Sequence, residues 1–75
     1  MPFIDIRVIE GVFTPEEQRE LIERVSEAVI AVEGEGLRAS THTVVTETPN
    51  GSWAIGGRAM TATDVKAKRT PAVAA

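Results

Sequence analysis

A chain of 75 residues is one small domain that buries only ~60–65% of its unfolded surface, and with no cysteine and one histidine it has neither disulfides nor thiolate metal ligands to add stability. Association is the remaining route, and 43% hydrophobic residues in so short a chain favour it. The net charge of −3 excludes the basic footprint of a nucleic-acid binder, no apolar run nears the ~20 residues of a membrane span, and the N-terminus lacks a signal-peptide pattern, so a soluble, cytoplasmic homo-oligomer with no metal and no cofactor is expected.

The first predicted element is a strand. Residues 3–9 alternate Ile4, Ile6 and Val8 with Phe3, Asp5, Arg7 and Ile9, a period of two. The mixed second face suits a partner or a polar pocket, and Glu10-Gly11 breaks the strand. Ahead of it stands Met1-Pro2. Methionine before a small residue such as proline is normally trimmed, which leaves a secondary amine at the end of a rigid strand. An α-amino group titrates near pH ~8, and apolar surroundings lower that value by penalising the cation. A general base works best close to the operating pH. The structural alternative for Pro2 is a residue merely tolerated at the first position of a strand.

A helix follows. Thr14 is a good N-cap, Pro15 suits the first helical position, and Glu17 completes a capping box. Leu21, Ile22, Val25, Ala28, Val29 and Val32 recur at helical spacing, while Gln18, Arg19, Glu20, Glu23, Arg24 and Glu27 form a solvated face. Gly34 and Gly36 end the helix. Residues 41–47 are rich in β-branched side chains and read as a second strand. Strand, helix and strand make a βαβ unit with parallel strands and a right-handed crossover. Beyond it come a turn at Pro49-Asn50-Gly51-Ser52, a short apolar segment Trp53-Ala54-Ile55 closed by Gly56-Gly57, a helical turn over 61–67 capped by Thr61 or Thr63, and an extended tail over 68–75. All of it reads as a single domain, 1–75.

Four features carry a resemblance: Met-Pro before an apolar strand, the Glu10-Gly11 strand end, the Leu21-Ile22-x-x-Val25-Ser26-Glu27-Ala28 helix, and Trp53-x-Ile55-Gly56-Gly57. In this order, over most of the chain, they resemble the short-chain 4-oxalocrotonate tautomerase family of the tautomerase superfamily. The resemblance implies an α/β fold: a β-α-β protomer with parallel strands, one amphipathic helix and a C-terminal hairpin that reaches onto a neighbour. Protomers pair, and three dimers form a hexamer. It also implies an enzyme, an isomerase in which Pro2, once Met1 is removed, is the general base that moves a proton between carbon and oxygen of a small enolisable keto acid. Trp53 falls where an aromatic side chain keeps the proline's surroundings apolar; a core or interface anchor is its structural alternative.

The chain also departs from the family. An arginine that binds substrate carboxylate just after the Glu-Gly is here Val12, and a second arginine, early in the second strand, aligns with His42. Losing both removes a bidentate clamp for a diacid, so the expected small-molecule carboxylate substrate is a monoacid of the phenylpyruvate type. Arg38, close to the second strand, and Arg58, after the double glycine, are the candidate carboxylate contacts, with ordinary surface arginines as the alternative for each. His42 is a candidate to orient a carbonyl or carry a proton near neutral pH, or else a hydrogen-bonded strand residue. Ile55-Gly56-Gly57-Arg58 and Arg69-Thr70-Pro71-Ala72-Val73 further resemble the end of the β chain of trans-3-chloroacrylic acid dehalogenase, a heterohexamer of the same superfamily. That leaves open a dehalogenase, hydratase or decarboxylase with Pro2 as general acid, and also a non-catalytic homologue.

Overall fold

The computed structural model describes residues 2–69; Met1, whose removal is expected, and the tail from residue 70 onward lie outside the described residues. Strand β1 (Phe3–Ile9) leads into helix α1 (Pro15–Glu33), a 3₁₀ segment (Glu35–Ser40) and strand β2 (His42–Thr48). Strands β3 (Trp53–Ile55) and β4 (Arg58–Met60) and the short helix α2 (Ala62–Lys66) complete the order. β1 and β2 form a two-stranded parallel sheet. At one end the His42 N–H donates to the Pro2 carbonyl at 3.1 Å, and at the other the Glu10 N–H donates to the Thr48 carbonyl at 2.8 Å. Parallel strands need a long crossover, and α1 supplies it. The fold is the expected β-α-β arrangement followed by an antiparallel hairpin.

The chain divides into two compact units. The first contains Phe13–Thr46 with the strand residues before Val8. Its helix begins as the sequence requires. The Thr14 hydroxyl accepts from the Glu17 N–H at 3.1 Å, and the Glu17 carboxylate accepts from the Thr14 N–H at 2.9 Å. It ends at Gly34, whose N–H reaches the Ile30 carbonyl. The covered stripe differs from the predicted one in its last turns. Leu21, Ile22, Val25 and Val29 are half-buried, but Ala28 is exposed and Val32 is 90% exposed, while the overlooked Ile30 is only 4% exposed. The reason is where the chain goes next. It folds back along the Glu33 side, where the Thr41 hydroxyl donates to Glu33 and the hydroxyls of Ser26 and Thr43 share a hydrogen bond of 2.6 Å. That draws the covered stripe round towards Ile30 and leaves Val32 outside.

The second unit contains Val8–Val12 with the described residues from Glu47 on. Val8, Ile9, Val12 and Met60 are buried in it. The hairpin pairs Trp53 with Met60, Ala54 with Ala59 and Ile55 with Arg58. Its two-residue turn puts Gly56 and Gly57 at φ 59° and 83°, the left-handed pair that matches strand twist in a tight hairpin. The double glycine that closes the apolar segment on paper is thus a turn into a return strand. α2 settles the choice of cap: Thr61 accepts from the Asp64 N–H at 3.2 Å, and Asp64 accepts from the Thr61 N–H at 3.0 Å. The Asn50 side-chain oxygen accepts the next free helix donor, the Ala62 N–H, at 2.8 Å.

Candidate functional site

Pro2 is half-buried at the start of β1. Its carbonyl is tied to the His42 N–H, so the first residue of β2 fixes the peptide plane that follows the proline ring. On the exposed face of the same strand ends, the Phe3 and His42 rings stack with centroids 6.4 Å apart and planes 18° from parallel. Phe3 is 68% exposed. Pro2 and His42 are therefore brought together, by the main chain of one and the ring stacking of its neighbour. Further along this face Asp5 accepts from the Thr46 hydroxyl at 2.8 Å and lies 3.5 Å from Arg7.

Arg38 sits in the 3₁₀ segment between two carboxylates. Its Nε and Nη2 donate to Glu35 at 2.9 and 2.8 Å, and its Nη1 and Nη2 donate to Glu27 at 2.7 and 3.1 Å. Four donor contacts from a group with five N–H bonds leave a single Nη1–H uncommitted. Hydrogen bonds from Arg38 hold the Glu27 and Glu35 carboxyls below the usual carboxylate range. The same bonds, Glu35 first, push Arg38 above the ordinary guanidinium value. Glu27, read from the sequence as part of a solvated face, is a bridge between α1 and the segment that enters β2.

The remaining sequence candidates belong to the second unit. Trp53 is half-buried and stands opposite the buried Met60 across the hairpin, on one face of it. Arg58 is exposed, directly opposite Ile55. Its charge, with that of Lys68, helps keep the Asp64 carboxyl below the usual range, although the hydrogen bonds from Thr61 are the larger cause. Sequence reasoning missed the contact of Arg69. Its Nη1 donates to the main-chain carbonyl of Val12 at 3.0 Å, bringing a guanidinium to the turn that follows β1 from 57 positions away. A main-chain acceptor leaves no trace in side-chain pattern, so nothing but the basic character of residues 66–69 pointed to it. The two units differ in charge: the first has four arginines against eight carboxylates, the second four cations against three carboxylates among the described residues. No helix among the described residues is long and apolar enough to cross a membrane.

The parallel β-α-β unit, the glycine-turned hairpin and a proline at the head of β1 define a tautomerase-type fold. Residues 2–63 match the family model described as Tautomerase enzyme, and the chain belongs to the tautomerase family. Among solved structures, it is similar to apo unFused 4-OT, with 32% identity and a TM-score of 0.69 over 79% of this chain and 93% of that one. A structure of the 4-oxalocrotonate tautomerase isozymes from Methylibium petroleiphilum is 32% identical, with a TM-score of 0.64 over 85% of this chain and 97% of that one. DmpI from Helicobacter pylori is 27% identical, with a TM-score of 0.66 over 91% and 100%. Comparison with curated proteins gives no match.

Proposed function

We propose that the chain is a keto–enol tautomerase in which Pro2, freed of Met1, is the general base for a small monoacid substrate. The observation that carries this is the placement of Pro2: the family match begins at it, it is half-buried, and its carbonyl is held by the first N–H of β2. Removal of Met1 turns an amide nitrogen into an amine, and half-burial disfavours its cation, the direction a general base needs. The base takes a proton from the enol oxygen, and the resulting ammonium returns one to carbon. No net charge leaves the substrate, and no redox partner is required.

The protein works as a homo-oligomer, a hexamer of three dimers, in which the hairpin unit of one copy serves Pro2 of another. Trp53 there shields the amine from water. The substrate carboxylate meets the cationic unit, with Arg58 and Arg69 as its contacts. Arg69, bonded to the Val12 carbonyl, supplies a guanidinium at the turn where Val12 itself carries none. His42 orients the carbonyl from the strand beside Pro2. The half-buried Ile4, Ile6, Leu21 and Ile22, with the exposed Phe3 and Ile55, supply the apolar surface that such an assembly covers. The assembly is checked by sedimentation: a stable monomer at micromolar concentration contradicts it.

The chemical test compares processed protein with protein that retains Met1, on phenylenolpyruvate. Processed protein ketonises the enol with a rate that rises as Pro2 loses its proton; retention of Met1 abolishes the rate, because an amide nitrogen is not a base. Equal rates eliminate Pro2. A rate that falls as Pro2 deprotonates assigns it the acid role of a hydratase, decarboxylase or dehalogenase.

A further inference from the structure

The Arg38 guanidinium is engaged on two sides, and its engagement leads, bond by bond, to Pro2. Glu27 lies on α1 and Glu35 in the 3₁₀ segment, so the fork pins the start of that segment to the helix. Each carboxylate takes two of the contacts, which is the geometry that makes an arginine pair directional. The end of the segment is pinned as well. The Thr41 N–H donates to the Arg38 carbonyl at 3.2 Å, and the single Thr41 hydroxyl proton is shared between the Leu37 carbonyl, at 2.8 Å, and the Glu33 carboxylate. The next N–H along the chain is that of His42, which holds the Pro2 carbonyl. Eight residues between helix and strand are thus wired at both ends, and the last wire terminates on the residue whose amine is proposed to react.

We infer that Arg38 is a positioning residue: through the Glu27–Arg38–Glu35 clasp and Thr41 it sets the placement of His42 and thereby of Pro2, and it does not bind substrate. The inference rests on Pro2 being the reacting amine for its catalytic consequence, and on the structure alone for its mechanical one. With one Nη1–H free, Arg38 has no fork left to offer a carboxylate. Its work is to keep the amine in line with the substrate, where a small misplacement costs rate and not affinity.

The test uses processed full-length protein and two separate readouts. One is hydrogen exchange of the His42 amide, which needs no activity. The other is the kcat and KM split for phenylenolpyruvate. Arg38→Ala should speed His42 exchange about tenfold and lower kcat about tenfold, with KM within about twofold of the parent. Arg38→Lys should behave like Arg38→Ala, because an ammonium cannot fork two carboxylates at once. Glu27→Gln with Glu35→Gln should reproduce both effects and add nothing to Arg38→Ala; this pair also serves if Arg38→Ala does not fold. Unchanged His42 exchange in a folded Arg38→Ala protein overturns the inference. So does a rise of KM about tenfold or more that Arg38→Lys rescues, which would make Arg38 a substrate contact. If the parent shows no enol ketonisation, the Pro2 chemistry fails, while His42 exchange still decides the clasp.

Discussion

The two units treat their apolar side chains differently. Among the described residues Val8, Ile9, Val12 and Met60 are buried in the second unit, and Ile30 alone in the first, although the first holds the 19-residue helix. A long helix over two strands covers its apolar stripe only part way, and Leu21, Ile22, Val25 and Val29 stay half-exposed. The second unit is built from tight turns, with left-handed glycines at 11, 51, 56 and 57, and closes on short segments. A fold can therefore be well defined at a strand end and unfinished along its helix and sheet. The unit with the less covered apolar stripe is the one that carries Pro2, and that half-exposed surface is what the proposed assembly would cover.

The largest expected effect sharpens this contrast inside α1. Ile30→Ala removes the one buried side chain among the described residues of the first unit and should cost about 2–5 kcal/mol in urea unfolding. Val32→Ala, at a position 90% exposed, should change stability by less than about 0.5 kcal/mol. Equal losses at the two positions would put Val32 back on the covered stripe.

A smaller effect separates backbone conformation from space. Gly11, in the second unit, has φ 90°, and a methyl group there would meet Ala62 Cβ only at ordinary contact distance, 3.6 Å. Gly11→Ala should thus cost about 1–2 kcal/mol from conformation alone. Gly36, in the 3₁₀ segment of the first unit, has no left-handed φ and nothing within 4 Å of a built Cβ. Gly36→Ala should stabilise by about 0.4–1 kcal/mol, by restricting the unfolded chain. Thermal midpoints measure both, and a loss at Gly36 would show that the segment needs glycine for a reason other than conformation.

Much of the first unit was legible before the structure. The capping box at Thr14, the alternation through β1 and the β-branched run of β2 are local patterns, and local patterns survive into structure. The hairpin was half legible: Gly56-Gly57 announced a turn, but Arg58-Ala59-Met60 is too short for periodicity to declare a strand. The 3₁₀ segment was invisible because Glu35–Ser40 has no apolar rhythm, and its order comes from Arg38 finding two carboxylates. Pro2 and Trp53 enter the proposed site on residue type and order in the sequence. The commitments of Arg38 and Arg69 were not legible there. One depends on a helix face meeting the following segment, and the other on a main-chain carbonyl far away in sequence.

The smallest effect is electrostatic, and it sets the units side by side in acid. Glu27 and Glu35 in the first unit and Asp64 in the second have carboxyl pKa values lowered in the folded chain, the former by Arg38 and the latter by the Thr61 N–H and hydroxyl. A lowered folded value means that the unfolded state binds protons first. The stabilisation is therefore complete above the ordinary carboxylate range of about 4 and is lost as pH falls through the depressed values. Glu27 and Glu35 are exposed and Asp64 is half-buried in a one-turn cap, so the clasp and the cap should loosen locally without unfolding the chain. NMR resolves the two events: the Arg38 Nε–H reports Glu35, and the Asp64 N–H, bonded to Thr61, reports the α2 cap. Both signals should hold through pH 5 and move only below about pH 4. Glu35→Gln should remove the Arg38 transition alone, and Asp64→Asn the cap transition alone. A shared transition would mean that the two units respond to acid as one body; carboxyls that titrate at their ordinary values would mean that neither the clasp nor the cap persists in solution.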